Sequence, residues 1–224
     1  MKKALFVIAF IVLGTFALTA QDQDMAQDRD QERLMMVDGD VLQIRDRDQV
    51  RLQDPITLND GTVVNPDGSY ITRDQDRLRL RDGECLDNDG IKYRNEYQYR
   101  YKVKKENMGL TQAQIQERNQ NRYQIMMIDG EAFQIRNRVQ NRIQNKINLG
   151  DGLIVNPDGS YQDPQQKQFR LRDGECINMD GAKFTNMYQH RRMMVKKNKM
   201  NKKKMMNKKV GNKMSVQKKK KGTK

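Results

Sequence analysis

The sequence predicts an all-β protein: two tandem small antiparallel β-meander domains, each a repeat of hairpins, followed by a basic C-terminal tail that is disordered or partly helical. Three observations predict this. Two long segments superimpose without a gap at an offset of 91 residues. Asp-Gly pairs punctuate each segment at regular spacing, with short runs of Val, Ile, Leu and Tyr between them. Charge is segregated: residues 191–224 hold 16 Lys and Arg and no acid, while residues 21–190 carry 25 basic against 29 acidic groups. The formal net charge of +14 therefore belongs to the tail, and the folded body is mildly acidic. With 36% hydrophobic residues and no Trp, each folded part must be small.

Residues 1–20 read as an export signal. Lys2-Lys3 precedes an apolar run from Ala4 to Leu18, and Ala20 offers a small residue for cleavage. The run is shorter than the roughly 20 residues a membrane span needs. A polar linker, 21–32, leads into the first β-repeat domain at 33–100. There Asp-Gly pairs stand at 38–39, 60–61 and 82–83, with a second set at 67–68 and 89–90.

The turns fix expected registers. Asp38-Gly39, Asp60-Gly61 and Asp82-Gly83 suit two-residue loops, and Asn65-Pro66-Asp67-Gly68 suits a type I turn with a glycine bulge. Leu80, Cys85 and Tyr93 should then share one face, as should Leu171, Cys176 and Phe184. Leu58, Val63 and Ile71 form a second row that Gln162 interrupts in the other copy. The turn-defining glycines are Gly39, Gly61, Gly68, Gly83 and Gly90, then Gly130, Gly152, Gly159, Gly174 and Gly181. Residues 101–123 read as a linker, with Thr111 able to cap a short polar helix. The second domain covers 124–190 and the Lys/Met/Asn-rich tail 191–224.

The Met35-Met36-Val37-Asp38-Gly39 opening, its counterpart Met126-Met127-Ile128-Asp129-Gly130, and the closing Asp-Gly-Glu-Cys followed by Asp-Gly resemble a family of exported bacterial proteins known only as a domain of unknown function. The resemblance implies an envelope or extracytoplasmic setting and no established activity. The chain departs from that pattern at Arg45-Asp46-Arg47, where a glycine turn is common in the family.

Candidate sites are few. Cys85 and Cys176, the only cysteines, occupy equivalent positions and are the candidate pair for a disulfide. Buried free thiols and an intermolecular bridge are the other readings. Asp87-Asn88-Asp89-Gly90 with Glu96 offers weak grounds for calcium, and the 15 methionines weak grounds for copper. His190 stands alone, and no nucleophile motif or phosphate loop is present, so no cofactor and no catalysis are expected. The strongest signal is the tail, with Lys196, Lys197, Lys202, Lys203, Lys204, Lys208, Lys209, Lys218, Lys219, Lys220 and Lys221. Such a segment suits non-specific attachment to an anionic envelope component, lipid headgroups or polysaccharide, or to extracellular nucleic acid. The expected protein is exported, to the periplasm or beyond, and acts as a structural or binding module. A metal-handling protein and an unrecognised hydrolase are the alternatives.

Overall fold

The computed structural model describes residues 32–220. The export signal and nearly all of the first linker lie outside them. Each copy opens with a long hairpin: β1 (Glu32–Val37) with β2 (Asp40–Arg51), and β9 (Tyr123–Ile128) with β10 (Glu131–Arg142). Both turns are two-residue loops with positive φ at each residue: 51° and 78° at Asp38-Gly39, 49° and 76° at Asp129-Gly130. That is the type I′ geometry, whose twist matches paired strands.

Next comes a small four-stranded meander in each copy. In the first it is β3 (Ile56–Thr57), β4 (Val63–Val64), β5 (Ser69–Ile71) and β6 (Arg77–Arg79). In the second it is β11 (Ile147–Asn148), β12 (Ile154–Val155), β13 (Ser160–Gln162) and β14 (Gln168–Arg170), with a 3₁₀ turn at Gly150–Gly152. Closing hairpins follow, β7 (Cys85–Asp87) with β8 (Lys92–Tyr93), and β15 (Cys176–Asn178) with β16 (Lys183–Phe184). Three helices complete the described residues: α1 (Glu96–Glu106), α2 (Gln112–Asn121) and α3 (Met187–Lys220).

The two copies interlock. The large sheet runs β16-β15-β1-β2-β10-β9-β7-β8, so the closing hairpin of each copy adds to the opening hairpin of the other. Cys85 pairs with Met126 and Leu86 with Ile125, while Cys176 pairs with Met35 and Ile177 with Leu34. The cores are shared likewise. Leu34, Met36 and Val41 of the first copy pack with Ile143, Leu149, Val155, Leu171 and Ile177 of the second. Ile125, Met127 and Ala132 of the second pack with Leu52, Leu58, Val64, Leu80 and Leu86 of the first. This explains why all six residues of β1 are buried: one face meets the other copy's meander and the other meets the helices. Each fully buried apolar side chain contributes roughly 1.5–3 kcal/mol. That gain is realised only when both copies are present.

The positive-φ glycines include all ten expected turn positions. Gly68 and Gly159 are also places of close approach. A Cβ there would lie 2.5 Å from Met127 Sδ and 2.7 Å from Met36 Sδ. These contacts seat each meander turn on the opposite hairpin.

Two registers differ from expectation. At Asp60-Gly61 the loop has three residues, because the Leu58 amide bonds Thr62 O and Thr57 faces Val63. The Asp60 carboxylate draws the chain in by accepting from the Thr62 N–H and hydroxyl. Leu58 therefore joins Val64 and Tyr70 in the core, while Val63 and Ile71 face each other on the outer side. At Asp82-Gly83 the tight turn closes, with the Glu84 amide donating to Arg81 O at 3.0 Å, but the strands then part and the chain crosses between sheets. Gly83 N–H bonds Met127 O and the Met127 amide bonds Glu84 O, so Leu80 stays with the meander and Cys85 enters the large sheet. Asp173-Gly174 does the same against Met36, separating Leu171 from Cys176. Cys85 does face Tyr93, and Cys176 faces Phe184.

Arg45-Asp46-Arg47 forms no turn and lies within the unbroken twelve-residue β2. Thr111 caps α2 with a full capping box to Gln114. The polar stretch before it already contains α1, which starts at Glu96 and is capped by the Asn95 side chain.

Candidate functional site: a basic helix rooted in a buried ion cluster

Where the two copies cross, five charged side chains meet out of water. Arg33 comes from β1, Asp46 from β2, Glu96 and Arg100 from α1 and Arg191 from α3, each at most 3% exposed. Asp46 accepts from Arg33 at 2.7 Å, Arg191 at 2.9 Å and Arg100 at 3.1 Å. Glu96 accepts from Arg100 at 2.7 Å and from Arg191 Nε at 2.5 Å. Amide oxygens take further guanidinium protons. Arg191 donates to Gln49 at 3.0 Å, and Arg100 donates to Asn137 at 3.0 Å and Gln140 at 3.3 Å.

These contacts obey the internal repeat. Arg100 and Arg191 are equivalent at offset 91, as are Asp46 with Asn137 and Gln49 with Gln140. Each helix arginine thus reaches the long strand of the other copy. The symmetry is broken in charge, since Glu96 is matched by Met187 and Arg33 by Gln124. Met187 Sδ receives the Arg33 Nε–H at 3.3 Å, whereas both amide atoms of Gln124 are buried without a partner.

Burial alone would raise the Glu96 carboxyl, but Arg191 and Arg100 overcome it and hold the group well below the usual range. Asp46 is likewise lowered, by Arg191, Arg33 and Arg100 against burial. Both stay ionised near neutrality and cannot exchange protons there, so the cluster serves to lock parts together. Beside it, His190 sits 2% exposed with its ring edge-on to Phe184 at 5.0 Å and neither ring nitrogen hydrogen-bonded. Burial, then Arg33 and Arg191, push its pKa down to about 3.

A cavity of about 370 Å³ lies beside the cluster, lined by Glu96 and by residues of both copies. Its walls come in equivalent pairs: Met35 with Met126, Asp82 with Asp173 and Tyr97 with Tyr188. The N-termini of α1 and α3 flank it, each capped by an asparagine that accepts from the amide three residues on, at 3.1 Å for Asn95 and 3.0 Å for Asn186.

α3 differs from α1 in length. α1 stops at Glu106, with Asn107 and the left-handed Gly109 behind it. At offset 91 the position of Gly109 is Met200, and α3 runs on for 34 residues to Lys220. Its first turns belong to the body. Arg191, Met194 and Val195 are buried, Arg192 pairs with Asp129 at 2.6 Å, and Lys199 pairs with Glu131 at 3.0 Å. The stretch from 191, expected from sequence to be a free basic tail, is therefore not separate from the body at its start. The root extends to about residue 199, because Arg191 is needed inside.

From Lys196 to Met206 every described side chain is exposed, including Lys196, Lys197, Lys203 and Lys204. Lys202, Lys208, Lys209 and Lys218–220 lie on the backbone of α3 but their side chains are outside the description, and Lys221 lies outside the described residues. Among the described residues no helix is long and apolar enough to cross a membrane.

Cys85 and Cys176 are free thiols with four strands of the sheet between them. Each fills a place in a separate core cluster, so they form no bridge. Burial raises both, Cys176 to about 12, which leaves neither as a thiolate. Asp87, the lead residue of the weak calcium reading, spends its oxygens on the Asp89 and Ile91 amides, the Tyr93 hydroxyl and the Lys102 ammonium. Glu96 is taken up by the arginines. Among the described residues no group of three or more His, Cys, Asp or Glu converges as a metal site would require.

Sequence reasoning missed the ion cluster. Its signal is the set of paired changes across the repeat, where Arg33, Asp46 and Glu96 become Gln124, Asn137 and Met187 while the helix arginine stays.

The family described as a domain of unknown function, DUF6799, matches residues 31–91 and again 122–182, together just over half of the chain. Among the described residues the matched segments hold every strand except β8 and β16 at their margins, and stop before α1 and α3. No curated protein and no solved structure matches. The chain belongs to the DUF6799 family and carries two tandem copies of its domain.

Proposed function

We propose that this is an exported, non-catalytic envelope protein that attaches to an anionic partner through α3, with the interlocked β body as a rigid platform. The partner is a phosphate- or carboxylate-rich surface or polymer: lipid headgroups, envelope polysaccharide or extracellular nucleic acid. One observation carries the reading. After its buried root, α3 continues without a single acidic residue, and residues 202–224 hold 11 lysines. A helix of like charges repels itself, and a nearby anionic surface relieves that repulsion. Each lysine near such a surface contributes about 1 kcal/mol, screened by salt. The lysine-run spacing carries no aromatic residue, which favours charge attraction over stacking or interfacial insertion. Export is supported by residues 1–20 and by the family resemblance.

The test is a chain ending at Asn201, which keeps the Arg191 root. On heparin and on anionic vesicles the full chain should elute or dissociate only at high salt, and the shortened chain should lose most of that retention while keeping its thermal stability. Equal retention by the two chains would refute the reading.

A further inference from the structure

The cavity of about 370 Å³ beside the ion cluster has an aromatic and thioether lining. Behind it lie Met35 and Met126, both fully buried, and its walls include Tyr97 of α1 and Tyr188 of α3, both half-buried. Each tyrosine rests on an Asp-Gly turn of the other copy. A Cβ at Gly174 would stand 3.8 Å from Tyr97 Cδ2, and one at Gly83 would stand 3.6 Å from Tyr188 Cγ. The Tyr97 hydroxyl reaches the Asp173 carboxylate, and the Tyr188 hydroxyl donates to Asp129 at 3.4 Å. The interlock of the copies thus sets both rings in place, which lowers the ordering cost of binding.

The cavity also carries charge of both signs. Asp82 accepts the Gly130 N–H at 3.1 Å and Asp173 takes the Tyr97 hydroxyl, and among the described residues neither carboxylate pairs with a cation. Arg94, just ahead of α1, pairs with no carboxylate among the described residues. Its counterpart at offset 91 is Thr185, so the positive group stands on one side only. The starts of α1 and α3 are already met by their own asparagine caps, so recognition rests on these side chains. The lining selects among cations. A metal ion would need converging hard donors, and among the described residues no such group exists. A primary ammonium needs three acceptors, which aromatic rings and thioethers do not supply. A quaternary ammonium has no proton to place, is attracted to aromatic faces, and has its charge offset by the two carboxylates.

We propose that this cavity binds a betaine, a small zwitterion with a quaternary ammonium and a carboxylate a few bonds apart. The methyl groups pack against Tyr97 and Tyr188, Asp82 and Asp173 offset the positive charge, and the carboxylate meets the Arg94 guanidinium. The volume lies in the range of small-molecule pockets, roughly 300–1,000 Å³. The proposal goes beyond attachment through α3 and uses none of its lysines.

The experiment is calorimetric titration of the chain from residue 21 onward with three matched probes. They are γ-butyrobetaine, 4-aminobutyrate, which lacks the methyl groups, and butyltrimethylammonium, which lacks the carboxylate. γ-Butyrobetaine should bind, and each of the others should bind about tenfold or more weaker. R94Q, altered at an exposed position, should stay folded and bind γ-butyrobetaine no better than butyltrimethylammonium. Y97L/Y188L should lose the preference for the methylated probe, while Y97F/Y188F, which keeps the rings, should retain it; thermal melts check that both are folded. No binding of γ-butyrobetaine, equal affinity for 4-aminobutyrate, or an unchanged preference for γ-butyrobetaine over butyltrimethylammonium in R94Q would each overturn the proposal.

Discussion

His190 shows how much a single residue can hide from a sequence. Alone at the edge of a lysine-rich tail, it has the appearance of a solvated side chain, yet it is sealed between Phe184 and the arginine cluster with no hydrogen-bond partner. Its folded pKa, about 3, lies below the unfolded value of about 6.5. Between these values the unfolded chain binds the extra proton, so stability must fall as pH falls through this window. From pH 7 to pH 5 the expected loss from this group is about 2 kcal/mol. Chemical unfolding at the two pH values should show that loss in the native chain and lack most of it in His190→Phe. Below about pH 4 a second loss follows as Glu96 and Asp46, whose pKa values are depressed in the fold, take up protons. The cysteines were more readable: small, equivalent and inside apolar rows, they are buried thiols, one of the readings their positions left open.

At the scale of elements, the turns were the most legible part. Asp38-Gly39, Asn65-Pro66-Asp67-Gly68 and Asp87-Asn88-Asp89-Gly90 form as their chemistry dictates, because turn geometry is local. Asp82-Gly83 closes a tight turn too, yet no hairpin follows it. Its glycine amide finds Met127 O on a strand 44 residues away, and no local rule could reveal that acceptor. The helices were only partly legible: α2 declares itself through Thr111, while α1 and the root of α3 are polar sequences held by tertiary contacts. The root of α3 can be tested directly. Arg191→Met should destabilise the body by about 3–5 kcal/mol, since it leaves buried carboxylates short of a partner. Arg192→Met, whose partner Asp129 lies at the surface, should change stability by less than about 1 kcal/mol. Urea midpoints of the two variants provide the comparison.

For the molecule as a whole, the duplication was plain and the interlocking was not. A repeat at offset 91 says that two copies exist, and it is silent on which copy's strands pair with which. The structure answers with exchange: β7 completes the second copy and β15 completes the first. A swapped pair joined by one linker has the cores of a symmetric dimer and the concentration independence of a monomer. It also gives a rigid base for a long charged helix, because Arg191 ties α3 to strands and helices of the first copy. This interlock is the central claim, and differential scanning calorimetry of the Ile177→Ala variant tests it most directly. Ile177 lies in the second copy but pairs with Leu34 of the first, in a core the two copies share. The account predicts one cooperative endotherm for native and variant chains, shifted as a whole by a loss of about 2–4 kcal/mol. Two endotherms, with only one of them moved by the substitution, would contradict it.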